Sequence, residues 1–200
     1  MLVLIKHIFS ISVRNIYFGD SNPNSLEKLF ARISKGINDK SINFDDAIEQ
    51  IKGETKSNDV VFKQINEFST TSNYKPRALF NLIYYKCQSN KLKEIKTSID
   101  NSKVDLEHIF PKNPKDEEDW KKYFKDDKER IKYTGKLGNM TLWYSKVNQF
   151  KKNVPFSDKV SSYADSEIFF TRMLANNSEW GKKEIDRRTK KIAKALIKIL

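Results

Sequence analysis

Two short β-prone runs inside an otherwise helical pattern constrain this chain most. Val104 to Phe110 is a β-branched and apolar run bounded by Asn101-Ser102 and Pro111, and Met140-Thr141-Leu142-Trp143 follows a turn bracketed by Gly135 and Gly138. Runs of this length between such boundaries predict two strands. The residues between them are mostly charged, with Trp120, Tyr123 and Phe124, then Ile131 and Tyr133, as apolar points. Ser145 to Lys152 predicts a helix stopped by Pro155. The expected order is strand, long connection, strand, helix. His108, one of two histidines, lies in the first run beside Glu107; Asn139 sits in the turn, and Asn148 and Asn153 follow. A histidine beside a carboxylate, followed by asparagines, is a pattern that can activate water at a metal ion.

The rest of the chain reads as helices. Apolar residues recur at helical spacing from Leu2 to Phe18. Asn24 with Glu27 resembles a capping box, and Leu26, Leu29, Phe30, Ile33 and Ile37 then share one face. Asn43 caps a helix through Ala47, Ile48 and Ile51; Val60, Val61, Ile65 and Phe68 mark a fourth. Pro76 suits the first turn of a fifth, running to about Gln88. His7, on the apolar first helix, reads as a packed residue. A chain opening on a half-buried helix predicts a preceding domain or a partner subunit. The expected organisation is a helical support region over 1–100 and a second domain over 101–200, closed by a basic helix.

The balance of 38 Lys+Arg against 26 Asp+Glu gives a net charge of +12, of which residues 101–200 carry +8. An excess of this kind favours an anionic partner, nucleic acid first among them. Cys87 is the sole cysteine, so an intramolecular disulfide and a cysteine-based zinc site are excluded, which fits a reducing cytoplasm. The opening apolar stretch is broken by Lys6, His7 and Arg14, which argues against a membrane span or a signal peptide.

Three blocks in order carry a resemblance: Glu107-His108-Ile109-x-Pro111, then Leu137-Gly138-Asn139-Met140-Thr141-Leu142, then Asn148 and Asn153-x-x-Phe156. Asn148 lies nine residues after Asn139, and Lys151 three after that. Together they resemble the HNH nuclease domain of the GmrSD-type restriction endonucleases, a branch of the His-Me finger (ββα-metal) nucleases. Trp180, Ile185 and Arg188 in the last helix agree with it. The fold class expected is α+β, mostly α-helical, with a ββα-metal core embedded in helices. Two departures stand out: Glu107 replaces the commoner Asp, and Asn148 replaces the His in third position.

The resemblance implies a metal-dependent DNA endonuclease or nickase of a restriction or anti-phage system. His108 would be the general base, and Glu107 and Asn148 the ligands of one Mg²⁺, with Mn²⁺ or another divalent cation as a substitute. Asn139 is grouped with His108 as the residue that ties the loop down and orients it. Asp105 shares a strand face with Glu107 and is a rival ligand, and Asn153 is either a helper near the phosphate or a helix cap. Lys146, Lys151, Lys152, Arg187 and Arg188 are the expected DNA contacts, with an ordinary solvated helix face as the other reading. Trp120, Trp143 and Trp180 are expected in the core. An NTPase or modification-sensing subunit, or an N-terminal domain with that role, is the expected partner. RNA cleavage and a non-catalytic DNA-binding or assembly subunit are the alternatives.

Overall fold

The computed structural model describes residues 2–89, 103–114, 118–151 and 153–200, without the side chains of residues 87–89 and 119. The chain divides into two compact units, Met1–Ile65 together with Leu200, and Asn66–Ile199. The division falls inside a helix. The fifth helix belongs with the second unit because it packs on both strands and on the final helix.

The first unit is helical. Helix α1 (Leu2–Ile11) runs into a π-helical turn over Ser12–Tyr17, followed by α2 (Pro23–Asn38), α3 (Phe44–Glu54) and the start of α4 (Asn58–Glu67). The π turn was not foreseen from the apolar spacing. It buries Arg14 and Asn15. Arg14 donates to Asn58 Oδ1 at 2.8 Å and Asn15 Nδ2 to the Glu54 carbonyl at 2.7 Å. The cap of α2 is Asn22, whose side chain accepts from the Asn24 amide, because Pro23 fills the first helical position. Asn43 caps α3 in a full capping box with Asp46. Ile11, Leu26, Leu29, Ile33, Ala47 and Ile51 form the core of this unit, each large side chain contributing about 1.5–3 kcal/mol by leaving water.

The second unit is α+β and mostly helical. Its order is α5 (Tyr74–Ser89), β1 (Val104–His108), α6 (Glu118–Lys121), α7 (Asp127–Thr134), a 3₁₀ turn at Leu137–Asn139, β2 (Met140–Tyr144), α8 (Ser145–Lys151), α9 (Phe156–Ala164), α10 (Phe169–Arg172), a second 3₁₀ turn at Met173–Asn176, and α11 (Lys182–Ile199). The two strands pair antiparallel in the register Val104↔Tyr144, Leu106↔Leu142, His108↔Met140. Strand β2 leads directly into α8, so the order expected from the sequence is observed. Among the described residues no helix is long and apolar enough to cross a membrane.

An aromatic cluster holds the second unit together. Phe110 meets Phe124 edge-on at 5.0 Å, Phe156 stacks on Trp180 at 5.3 Å, and Trp143 lies 4.5 Å from Tyr163. Trp143 and Trp180 are buried as expected, whereas Trp120 is only partly buried at the edge of the cluster. Helix α11 turns Ile185, Ile192, Ala193 and Leu196 inward and leaves Lys183, Arg187, Lys190, Lys191, Lys194 and Lys198 in water. It lies directly on the first 3₁₀ turn. A Cβ added at Gly138 would strike the Ile185 carbonyl and the Thr189 hydroxyl, and would sit 2.8 Å from the Thr189 amide nitrogen. Gly138→Ala is therefore expected to cost about 1–3 kcal/mol through overpacking, read as a lower urea midpoint. An unchanged midpoint would show that α11 can retreat freely from the turn.

Candidate active site

The site grows from the end of β1. After His108 the chain leaves the ladder, and the Ile109 amide donates to the Asn139 carbonyl at 2.9 Å. Ile109 and Phe110 then plunge into the aromatic core. Asn139 fixes this bend. Its Oδ1 accepts from the Phe110 amide at 2.8 Å and from the Trp180 indole at 3.1 Å; its Nδ2 donates to the Phe110 carbonyl at 2.9 Å and the Thr134 carbonyl at 3.2 Å. The side chain has no exposed surface. Asn139 is thus a strut under the turn that follows His108, and every polar atom of its amide is engaged within the fold.

Beside that bend lies a cleft of about 360 Å³, lined by Asp105, Glu107, His108, Lys112, Asn148 and Asn153 among others. The sheet supplies the first three of these, α8 supplies Asn148, and the turn before α9 supplies Asn153. His108 Nε2 and Asn148 Oδ1 are both buried with no hydrogen-bond partner. A buried polar atom without a partner costs about 1–3 kcal/mol, so these two are open to a water, an ion or a ligand in the cleft. Burial, helped by the positive charges of Lys112 and Lys159, pushes the His108 imidazole down to about 3. It is neutral at pH 7, the form that accepts a proton.

Glu107 is placed differently from its neighbours. Its carboxylate is buried, and Oε1 accepts from Lys159 Nζ at 2.6 Å and from the Tyr163 hydroxyl at 3.1 Å. Burial pushes Glu107 up to about 6 while Lys159 pulls the other way. Lys159, with no exposed surface, is driven down by the same desolvation and held up by Glu107. Neither Lys159 nor Tyr163 was picked out from the sequence. Their signal is faint: Phe156, Lys159 and Tyr163 share one face of α9 at spacings of three and four, which puts a lysine and a phenol on an apolar stripe.

The basic residues separate into two groups. Lys146 and Arg187 are exposed, Arg187 donating to Asn177 Oδ1 at 2.5 Å. Lys151 donates to the Asp158 carbonyl at 2.9 Å, and Lys152 lies outside the described residues. Arg188, named with Arg187 as an expected DNA contact, is engaged with the backbone. It donates to the Gly138 carbonyl at 2.9 Å and to the Met140 carbonyl, with its guanidinium over the Phe80 ring. Burial lowers it to about 10. Position on the helix decides this: the outward Arg187 is followed immediately by an arginine that braces the start of β2. Among the described residues no three His, Cys, Asp or Glu side chains gather as a metal cluster; the polar set in the cleft joins Asp105 to asparagines.

Two antiparallel strands running into a helix, with an unpartnered imidazole nitrogen and amide oxygen in one cleft, define a helix-rich α+β domain with a polar site at the mouth of its small sheet. The chain belongs to the family of GmrSD restriction endonuclease C-terminal domains, whose model matches residues 56–195. That match takes in both strands, α8, α9 and all but the last residues of α11. No curated protein matches the chain.

Proposed function

We propose that the second unit is a ββα-metal (His-Me finger) nuclease core that hydrolyses DNA phosphodiester bonds with the help of a divalent cation, as an endonuclease or nickase of a GmrSD-like restriction system. The observation that carries the reading is the pair of unpartnered buried atoms, His108 Nε2 and Asn148 Oδ1, in a cleft that also holds Asp105. Neutral His108 takes the proton of the attacking water at Nε2. The backbone bend behind it is pinned by Asn139.

The residues of the cleft fit a hard cation. Asn148 Oδ1 offers an unshared oxygen and Asp105 a half-buried carboxylate, and a Mg²⁺ bound by few protein ligands completes its shell with water and phosphate. Glu107, the ligand that the sequence resemblance implies, fits less well, since its Oε1 already holds an ammonium and a phenol. When bound, Mg²⁺ or Mn²⁺ supplies charge stabilisation at the phosphate and at the leaving oxygen. The exposed Lys146 and the outward cations of α11, Arg187 among them, supply an electrostatic footprint for duplex DNA. Arg188, engaged with backbone carbonyls, serves the fold instead. An NTPase or modification-sensing partner gates the nuclease unit.

Plasmid nicking tests the reading. Nicking is expected with Mg²⁺, is expected to stop on adding EDTA, and is expected to return with excess Mn²⁺. Cleavage that persists in EDTA would sink the metal dependence. Cleavage of RNA but not DNA under the same conditions would move the substrate.

A further inference from the structure

We propose that Lys159 is the permanent counter-ion of Glu107, that this buried pair positions the His108 end of β1, and that the divalent ion is held by Asp105 and Asn148 instead. The inference rests on the nuclease reading above and assigns the roles of its carboxylates.

The geometry around Lys159 is that of a finished site. Its ammonium lies 2.6 Å from Glu107 Oε1, 3.1 Å from the His108 carbonyl and 3.2 Å from the Ile109 carbonyl. An ammonium has three protons to donate, and these three oxygens are all within hydrogen-bond reach. Two of them are backbone oxygens of the segment that carries the base, so Lys159 holds that segment as well as the carboxylate. Tyr163 adds a further donor to the same carboxylate oxygen. A divalent cation on Glu107 would meet an ammonium within a few ångströms, in surroundings where water screens little. Moving Lys159 aside would strip two buried carbonyls of their donor.

Asp105 has the opposite character. It is the one residue of β1 that is not buried, and it lines the cleft that Asn148 enters from α8. Mg²⁺ gives up its waters reluctantly and needs room for them. The mouth of the cleft has that room, whereas Glu107 is only 2% exposed. The pattern of the sequence favours the acid next to His108. Packing reserves that acid for Lys159, and the acid two residues earlier is left half-buried at the cleft.

Metal binding by the full-length chain, measured calorimetrically with Mn²⁺ in the absence of DNA, tests this. Asp105→Asn and Asn148→Ala are expected to weaken Mn²⁺ binding about 10-fold or more, the scale of lost metal-site partners. The double variant Glu107→Gln/Lys159→Met leaves no buried charge unpaired; with folding checked by thermal melting, it is expected to keep wild-type Mn²⁺ affinity. Its cleavage rate is expected to fall at unchanged KM for DNA, the mark of a misplaced His108. Loss of Mn²⁺ affinity in the folded double variant, or wild-type affinity in Asp105→Asn, overturns the assignment while leaving the metal-dependent reading intact. Should the double variant fail to fold, Asp105→Asn alone decides. A wild-type chain that binds no Mn²⁺ overturns both.

Discussion

On the proposed nuclease reading, His108→Ala is expected to lower the rate of DNA cleavage by about 10²–10⁴-fold, the contribution of a well-placed general base, while DNA affinity is expected to stay near that of the unaltered chain. The prediction follows from what Nε2 does in the resting fold, which is nothing: it is buried and has no partner. The substitution loses some packing but also removes an unsatisfied polar atom, and these terms oppose each other in stability. The loss of activity should therefore come without a comparable loss in the unfolding midpoint. The basic side chains proposed to meet DNA lie elsewhere, on Lys146 and along the outer face of α11, so binding in a gel-shift or anisotropy titration should survive. Equal cleavage by the variant would remove His108 from the chemistry. Loss of cleavage together with DNA binding would mean that the residue shapes the surface instead.

Much of the second unit was legible because its signals are local. The strand at Val104–His108, the turn at Leu137–Asn139, the strand that follows it and α8 all lie where short runs, glycines and the spacing from Asn139 to Asn148 put them. The Asn43 cap was legible for the same reason, since a cap acts within one turn. What escaped depends on partners far apart in the chain. Lys159 reaches Glu107 across 52 residues, and Arg188 reaches Met140 across 48. In a sequence each is one more cation among 38. Only packing distinguishes Lys159, with no exposed surface, from the lysines left in water. The π turn at Ser12–Tyr17 escaped for a related reason. It buries Arg14 and Asn15 against the segment from Glu54 to Asn58, and apolar periodicity carries no trace of such polar contacts. Arg187 and Arg188 make the same point at closest range, for neighbours on one helix meet an exposed asparagine contact and the backbone respectively.

Asn139→Ala is expected to cost about 4 kcal/mol of stability, at the upper end of what single substitutions do. The truncation strands two donors, the Phe110 amide and the Trp180 indole, and two acceptors, the carbonyls of Phe110 and Thr134. Each group left unpaired in the interior costs about 1–3 kcal/mol, and local relaxation recovers part of the sum. Asn139→Asp separates this account from a simple volume effect. It preserves both acceptor contacts but turns a carboxylate oxygen towards two carbonyls, so it should destabilise as well despite its near-identical shape. Urea unfolding followed by tryptophan fluorescence reads both variants directly, since Trp180 is itself one of the partners. Where the variants remain folded, cleavage should fall with DNA affinity retained, because the damage passes through Phe110, two residues beyond His108. A stability change within about 0.5 kcal/mol for either variant, the range of ordinary surface substitutions, would mean that Asn139 is not the strut of the bend. The position of His108 would then have to be set by Lys159 and its two backbone acceptors alone.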